Sequence, residues 1–262
     1  MITTMRCLLR ISAVLWMAGA ACAQVPRAAD GHPDLTGIWQ TLSTADWDLE
    51  DHRPESGPFY QLGAIGGVPP GRGVVEGGDI PYKPEALAQR HQNRANRWKN
   101  DPEVKCYMPG VPRAAYLPYP FQIVQGSKVV LMAYSFATFN RVIDMGTPKP
   151  PPVDTWMGTS YGSWDGDTLV VDNRGFNDLS WLDRSGNYHS DALHVVERYK
   201  MTDRDHINYE ATIEDPKVFT RPWKISLTLY RDVDPKATLP EFKCVELTEE
   251  LLYRDLNGPN AR

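Results

Sequence analysis

From residue 121 onward, apolar residues recur with a period of two, the signature of strands with one buried face. Val129, Leu131 and Ala133 alternate with Lys128, Val130 and Met132 after a turn at Gln125-Gly126-Ser127. Asp165-Gly166 sits between 161–164 and 168–172, a strong hairpin signal. A second hairpin joins 193–202 to 206–214 across Asp203-Arg204-Asp205, and 223–231 follows with Trp223, Ile225, Leu227 and Leu229 on one face. Successive strands joined by short turns predict a mainly antiparallel meander. About eight of them would close into a lipocalin-like, up-and-down barrel around a small ligand cavity. A two-sheet β-sandwich is the alternative.

Upstream the pattern is less regular. A short strand is predicted at 35–41, followed by a stretch with Gly66-Gly67, Pro69-Pro70-Gly71 and Gly77-Gly78 that reads as a flexible surface loop or lid. A helix is predicted over 84–99. Pro84 suits its first turn, Leu87, His91, Ala95 and Trp98 mark its packed face, and Arg90, Arg94, Arg97 and Lys99 form a basic outer surface. The expected fold is therefore all-β with one helix and an irregular Pro/Gly-rich first part. A single domain covers 24–262, divided into an irregular part (24–120), a meander (121–235) and a C-terminal extension (236–262).

Composition narrows the class. The 262 residues carry 22 Pro and 20 Gly, which disfavours a helical bundle, and a net charge of −5, which gives no basic footprint for nucleic acid. Residues 1–23 read as a secretory signal. Arg6 and Arg10 precede a short apolar run, and Ala21-Cys22-Ala23 has the small-x-small form of a cleavage site. The chain is expected in the periplasm or outside the cell, with a lipid anchor on Cys22 as the alternative. The run is too short for a comfortable membrane span, and none is expected later. Cleavage leaves Cys106 and Cys244, which in an exported chain suggest one disulfide, the alternative being two buried thiols.

Candidate chemistry lies where polar residues interrupt the apolar register. Glu197 falls among Leu193, Val195, Tyr199 and Met201, and Arg141 between Phe139 and Ile143. Interior charges need partners, so Arg141 and Glu197 are expected to meet inside the barrel or to face a polar ligand together. His189 and His194 lie in a turn running into a strand and are candidate proton-transfer residues, with Asp178 or Glu197 orienting them. Strict alternation puts His194 opposite Glu197, so their joint action requires a bulge. His189 and His194 with Asp178, Asp183 or Asp191 form a weak metal pattern; no cofactor is expected, and a divalent metal is the alternative. Trp156, Tyr161, Trp164 and Trp181 are placed as a wall for a flat organic ligand, with Arg141 holding substrate charge.

Several strings resemble a large family of exported bacterial proteins: Pro33-Asp34-Leu35-Thr36-Gly37-Ile38-Trp39, the run from Cys106 to Arg113, and Trp156-Met157-Gly158 continuing to Trp164. Gly166-Asp167-Thr168-Leu169-Val170-Val171-Asp172, Gly175-Phe176-Asn177-Asp178, Trp181-Leu182-Asp183 and the run from His189 to Arg198 complete the pattern. The resemblance implies export and one β-rich domain; it implies no reaction. Together these features lead to an expected acid/base enzyme, a lyase, isomerase or hydrolase acting on a small aromatic or hydrophobic molecule. A non-catalytic lipocalin-like carrier and an envelope interaction protein are the alternatives. Oligomeric state is left open.

Overall fold

A computed structural model describes residues 25–257. The predicted signal at 1–23, with Cys22, lies outside the described residues. Nine strands close into a barrel in sequence order: β1 (Gly37–Thr41), β2 (Phe121–Gln125), β3 (Val129–Tyr134), β4 (Asn140–Asp144), β5 (Thr159–Asp165), β6 (Thr168–Arg174), β7 (His194–Met201), β8 (His206–Glu214) and β9 (Trp223–Arg231). The expected barrel is present, and the sandwich is not. The predicted hairpins become β5–β6 and β7–β8, and the strand predicted at 35–41 becomes β1, which fills the gap between β2 and β9.

An odd number of strands cannot alternate direction all the way around a closed barrel, so one neighbouring pair must be parallel. That pair is β4–β5, joined only through Ile143↔Ser160 and Asp144↔Tyr161. Parallel neighbours need a crossover, and 145–158 supplies it. The other consequence of this winding is asymmetry between the two ends. One end carries the tight turns 126–128, 166–167 and 202–205; the other carries the long segments 42–120, 175–193 and 215–222.

Side chains fill the barrel. Trp39, Phe121, Ile123, Met132, Ile143, Tyr199 and Tyr209 are fully buried and point along the inward register. Arg141 and Glu197 meet among them, as their positions in the apolar register suggested. Arg141 binds both carboxylate oxygens of Glu197, donates to Ser160 Oγ (3.0 Å) and to Asn173 Oδ1 (2.6 Å), and Asn173 Nδ2 donates back to Glu197 (3.0 Å). Tyr199 and Tyr209 each donate to Glu197 Oε1 at 2.9 Å. The Glu197 charge holds the guanidinium pKa well above its ordinary value, against the burial that would lower it. The five strands β4 to β8 all contribute, so the network bridges the short β4–β5 seam.

The first part of the chain packs over the long-loop end. The predicted helix is present but breaks at Asn96 into α1 (Pro84–Ala95) and α2 (Arg97–Asn100), and its orientation differs from expectation. Leu87, His91 and Ala95 are exposed, whereas Ala86 and Asn93 are buried. The arginines expected outside turn inward: Arg90 to Glu50 (3.5 Å), Arg94 to Asp48 (3.4 Å) and Glu55, and Arg97 to Glu55 (2.8 Å). The layer beneath the helix offers carboxylates, so charge pairing rather than an apolar stripe selects its inner face. The Gly/Pro-rich stretch expected as a lid is strapped down by the bridges His52↔Gly71, Glu55↔Val68 and Val75↔Ile225. Gly73 lies so close to the 49–51 backbone that a Cβ would collide with it.

The C-terminal extension returns along the barrel to the same end. Phe242 packs on Tyr119 and Phe136, and Cys244 forms a disulfide with Cys106. No helix among the described residues is long and apolar enough to cross a membrane.

The interior network predicts strong coupling. Glu197→Gln leaves a buried guanidinium without its counter-charge and should cost about 3–5 kcal/mol in urea unfolding. Arg141→Met combined with Glu197→Gln should cost clearly less than the two single changes together; simple additivity would contradict the pairing.

Candidate functional site

The long connection 175–193, between β6 and β7, folds back on itself at the barrel's loop-bearing end. Asp183 holds its shape. The carboxylate accepts from the backbone N–H groups of Leu49 (2.9 Å), Ser185 (2.9 Å) and Asn187 (3.1 Å) and from Asn187 Nδ2 (2.6 Å). Burial and the nearby Asp48 charge push its pKa up to about 7, while the hydrogen bonds from Asn187 and from Leu49 N–H pull the other way. Leu182 N–H bonds the Asn187 carbonyl, closing a turn that brings Ser180 and His189 side by side.

Ser180 Oγ lies 2.7 Å from His189 Nε2, and His189 Nδ1 lies 2.9 Å from the Ser190 carbonyl. A carbonyl oxygen only accepts, so Nδ1 carries a proton. Burial lowers the imidazole pKa, outweighing the Ser190 hydrogen bond and the Asp215 and Asp178 charges that raise it. The neutral ring then presents Nε2 as an acceptor, and the Ser180 hydroxyl donates to it. Asp215 fixes the far side by accepting from Ser190 N–H (2.6 Å) and Ser190 Oγ (2.9 Å). The resulting chain, Asp215–Ser190–His189–Ser180, has a hydroxyl paired with an oriented base.

The 106–113 loop covers this pair. Gly110 has φ +77°, and a Cβ there would run into Ser180 Oγ and Cβ, so glycine serves both the backbone conformation and the close approach. The loop's far end is anchored by Arg113, buried among Asp46 (2.9 Å), Asp101 (2.8 Å) and Glu103 (2.6 Å). Arg184 joins the same carboxylates, reaching Glu103 at 2.5 Å and Asp46 at 3.1 Å. Three carboxylates thus face two guanidiniums. Burial and the Glu103 charge push Asp46 up to about 6, against the two arginines, which hold Glu103 below its ordinary value despite its own burial. The loop's other end is tied by the disulfide at Cys106. Next to it, Tyr107 is half exposed and its ring lies 5.0 Å from Trp156.

The residues singled out from sequence do not form one site. Glu197 is inside the barrel with Arg141, where it is fully bonded. His194 lies on the outer wall, with Nε2 2.9 Å from Asp172 and Nδ1 3.5 Å from Glu214. The β7 ladder is unbroken from His194 to Met201, so the bulge needed to bring His194 and Glu197 together is absent. Asp178 is exposed and acts on His189 only through its charge. Trp156 edges the covering loop. Trp181 is half-buried and bridges Tyr188, Tyr161 faces outward, and Trp164 packs at the end of β5 against His32, with ring centroids 4.5 Å apart. The four aromatics therefore do not line one cavity. Among the described residues, no group of three or more His, Cys, Asp or Glu side chains is arranged to hold a metal. Sequence reasoning missed Ser180, whose partnership with His189 depends on a turn that only the Asp183 hydrogen bonds reveal.

No family model, curated protein or solved structure matches the chain.

The charge balance around Asp46 has a pH consequence. Its folded pKa of about 6 exceeds the unfolded value near 4, so between these limits the folded state binds the extra proton. Its contribution to stability is present at low pH and is lost as pH rises through about 4 to 6. Comparing urea unfolding of the wild type and Asp46→Asn from pH 4 to 8 should show the wild type losing stability relative to the variant as pH rises. Parallel pH profiles would contradict the raised Asp46 value.

Proposed function

We propose that this chain is an exported enzyme that cleaves a small organic acyl compound by acid/base-assisted nucleophilic chemistry, with Ser180 as nucleophile and His189 as base. The observation that carries this reading is the 2.7 Å Ser180 Oγ–His189 Nε2 contact, made to an imidazole whose tautomer is set by the Ser190 carbonyl. Ser180 Oγ attacks the substrate carbonyl carbon as its proton moves to His189 Nε2. The protonated ring returns that proton to the leaving group as the bond to it breaks. Water then attacks the acyl carbon as its proton moves to the same nitrogen, and the ring returns that proton to Ser180 Oγ as the bond to the acyl group breaks.

Both residues are buried, with Ser180 1% and His189 2% exposed, so the substrate reaches them by displacing the Gly110 segment. The Tyr107–Trp156 ring pair at the edge of that loop supports an aromatic or hydrophobic substrate, with Trp156 as a binding residue. Membership of the exported family that the motif strings resemble belongs to the same proposal, and the disulfide is compatible with an exported location. The carrier alternative draws little support from a barrel interior filled by side chains.

The test uses p-nitrophenyl acetate as probe substrate and a small fluorophosphonate as label. The purified chain should release p-nitrophenol and take the label on Ser180, located by peptide mass spectrometry. Ser180→Ala and His189→Ala should each lower the rate by at least about a hundred-fold while retaining the wild-type circular dichroism spectrum. Because burial keeps His189 neutral, the rate should hold below pH 6.5, where a free imidazole would already be protonated. No turnover, or turnover undiminished in Ser180→Ala, would overturn the proposal.

A further inference from the structure

A concave site lies on the barrel wall, formed by residues other than Ser180 and His189. Strand β1 pairs with β9 only through Trp39↔Arg231, Gln40↔Tyr230 and Thr41↔Leu229. Further along the same edge of β9, the segment 74–76 takes over. Ser226 N–H donates to the Val74 carbonyl (2.9 Å), and Glu76 N–H donates to the Lys224 carbonyl (2.8 Å). Between these two pairings the edge at Leu227-Thr228 borders an open groove of about 390 Å³. That volume falls in the range of small-molecule clefts.

The groove's chemistry is specific. The hydroxyls of Thr44, Ser226, Thr228 and Tyr230 line it, and none of them makes a hydrogen bond among the described residues. Arg72 stands at the same groove, exposed and without an ion-pair partner, although most arginines of the described chain are paired. No carboxylate is among its lining residues. A wall of free hydroxyls offers both donors and acceptors, which suits a ligand carrying several hydroxyls of its own. A free guanidinium with no competing acid suits a carboxylate, which it binds through two parallel hydrogen bonds. A bare anion could accept from Arg72 and from the hydroxyls but would leave the acceptor capacity of the wall unused. A neutral sugar would use the wall and leave Arg72 without a counter-charge.

We propose that this groove binds a sugar acid, an anionic polyhydroxylated small molecule, with Arg72 on its carboxylate and the Thr44, Ser226, Thr228 and Tyr230 hydroxyls on its ring hydroxyls. The site is independent of Ser180 and His189. Titration calorimetry on the purified full chain, with glucuronate, glucose and inorganic phosphate as probes, tests it. Glucuronate should bind measurably, and glucose and phosphate each at least about ten-fold more weakly. Arg72→Ala, a change at an exposed side chain, should weaken glucuronate about ten-fold or more. Thr228→Val should weaken glucuronate while leaving phosphate unchanged, and Ser180→Ala should leave glucuronate binding intact. Absence of glucuronate binding, phosphate binding as tight as glucuronate, or glucuronate binding indifferent to Arg72→Ala would each overturn the assignment.

Discussion

A guanidinium and a carboxylate locked together in the middle of a closed barrel set the terms for the rest of this molecule. Arg141 and Glu197 are buried, and every strand from β4 to β8 sends a side chain to them. Buried charges are tolerated only when paired and fully hydrogen-bonded, so the interior around them is packed and satisfied rather than hollow. The same network crosses the weakest join of the barrel, the parallel β4–β5 seam with its two paired positions. Odd strand number creates that seam, and the ion pair braces it from inside.

With the interior occupied, concave and reactive features lie elsewhere. The barrel's winding puts its long connections at one end, and there a second set of buried charges holds the loops. Arg113 and Arg184 gather Asp46, Asp101 and Glu103, and Asp183 gathers four N–H groups. Between these two anchored segments sit Ser180 and His189, with Gly110 laid across them. The polar anchors add directional control to loops that are also held by the Cys106–Cys244 disulfide and by the buried Val111, Phe176 and Leu182.

Much of the barrel was legible because alternation and turn chemistry agree along its second half. Asp165-Gly166 marks its hairpin, Trp223 to Leu229 mark an inward face, and Arg141 and Glu197 stand out as charges in apolar registers. The direction of the β4–β5 pairing was not legible, because alternation is the same for parallel and antiparallel neighbours. The helix was misoriented for a related reason. Its inner face is chosen by Glu50, Asp48 and Glu55, distant in sequence, and local periodicity of Leu87 and His91 carries no record of them. His189 was recognisable as chemistry, but Ser180 was not, since an ordinary serine becomes a partner only when 182–187 folds back on itself. His194 looked equivalent in sequence, yet the strand places it outside, beside Asp172.

The proposed chemistry rests on Ser180 donating its hydroxyl to a neutral His189 protonated at Nδ1. Nitrogen-15 NMR of the imidazole side chains, followed from pH 8 to pH 5 and assigned with His189→Gln, tests it directly. His189 should show an Nδ1–H tautomer with an unprotonated Nε2 that persists below pH 6.5. An Nε2–H tautomer, or a ring that takes up its second proton at the ordinary imidazole value, would contradict it.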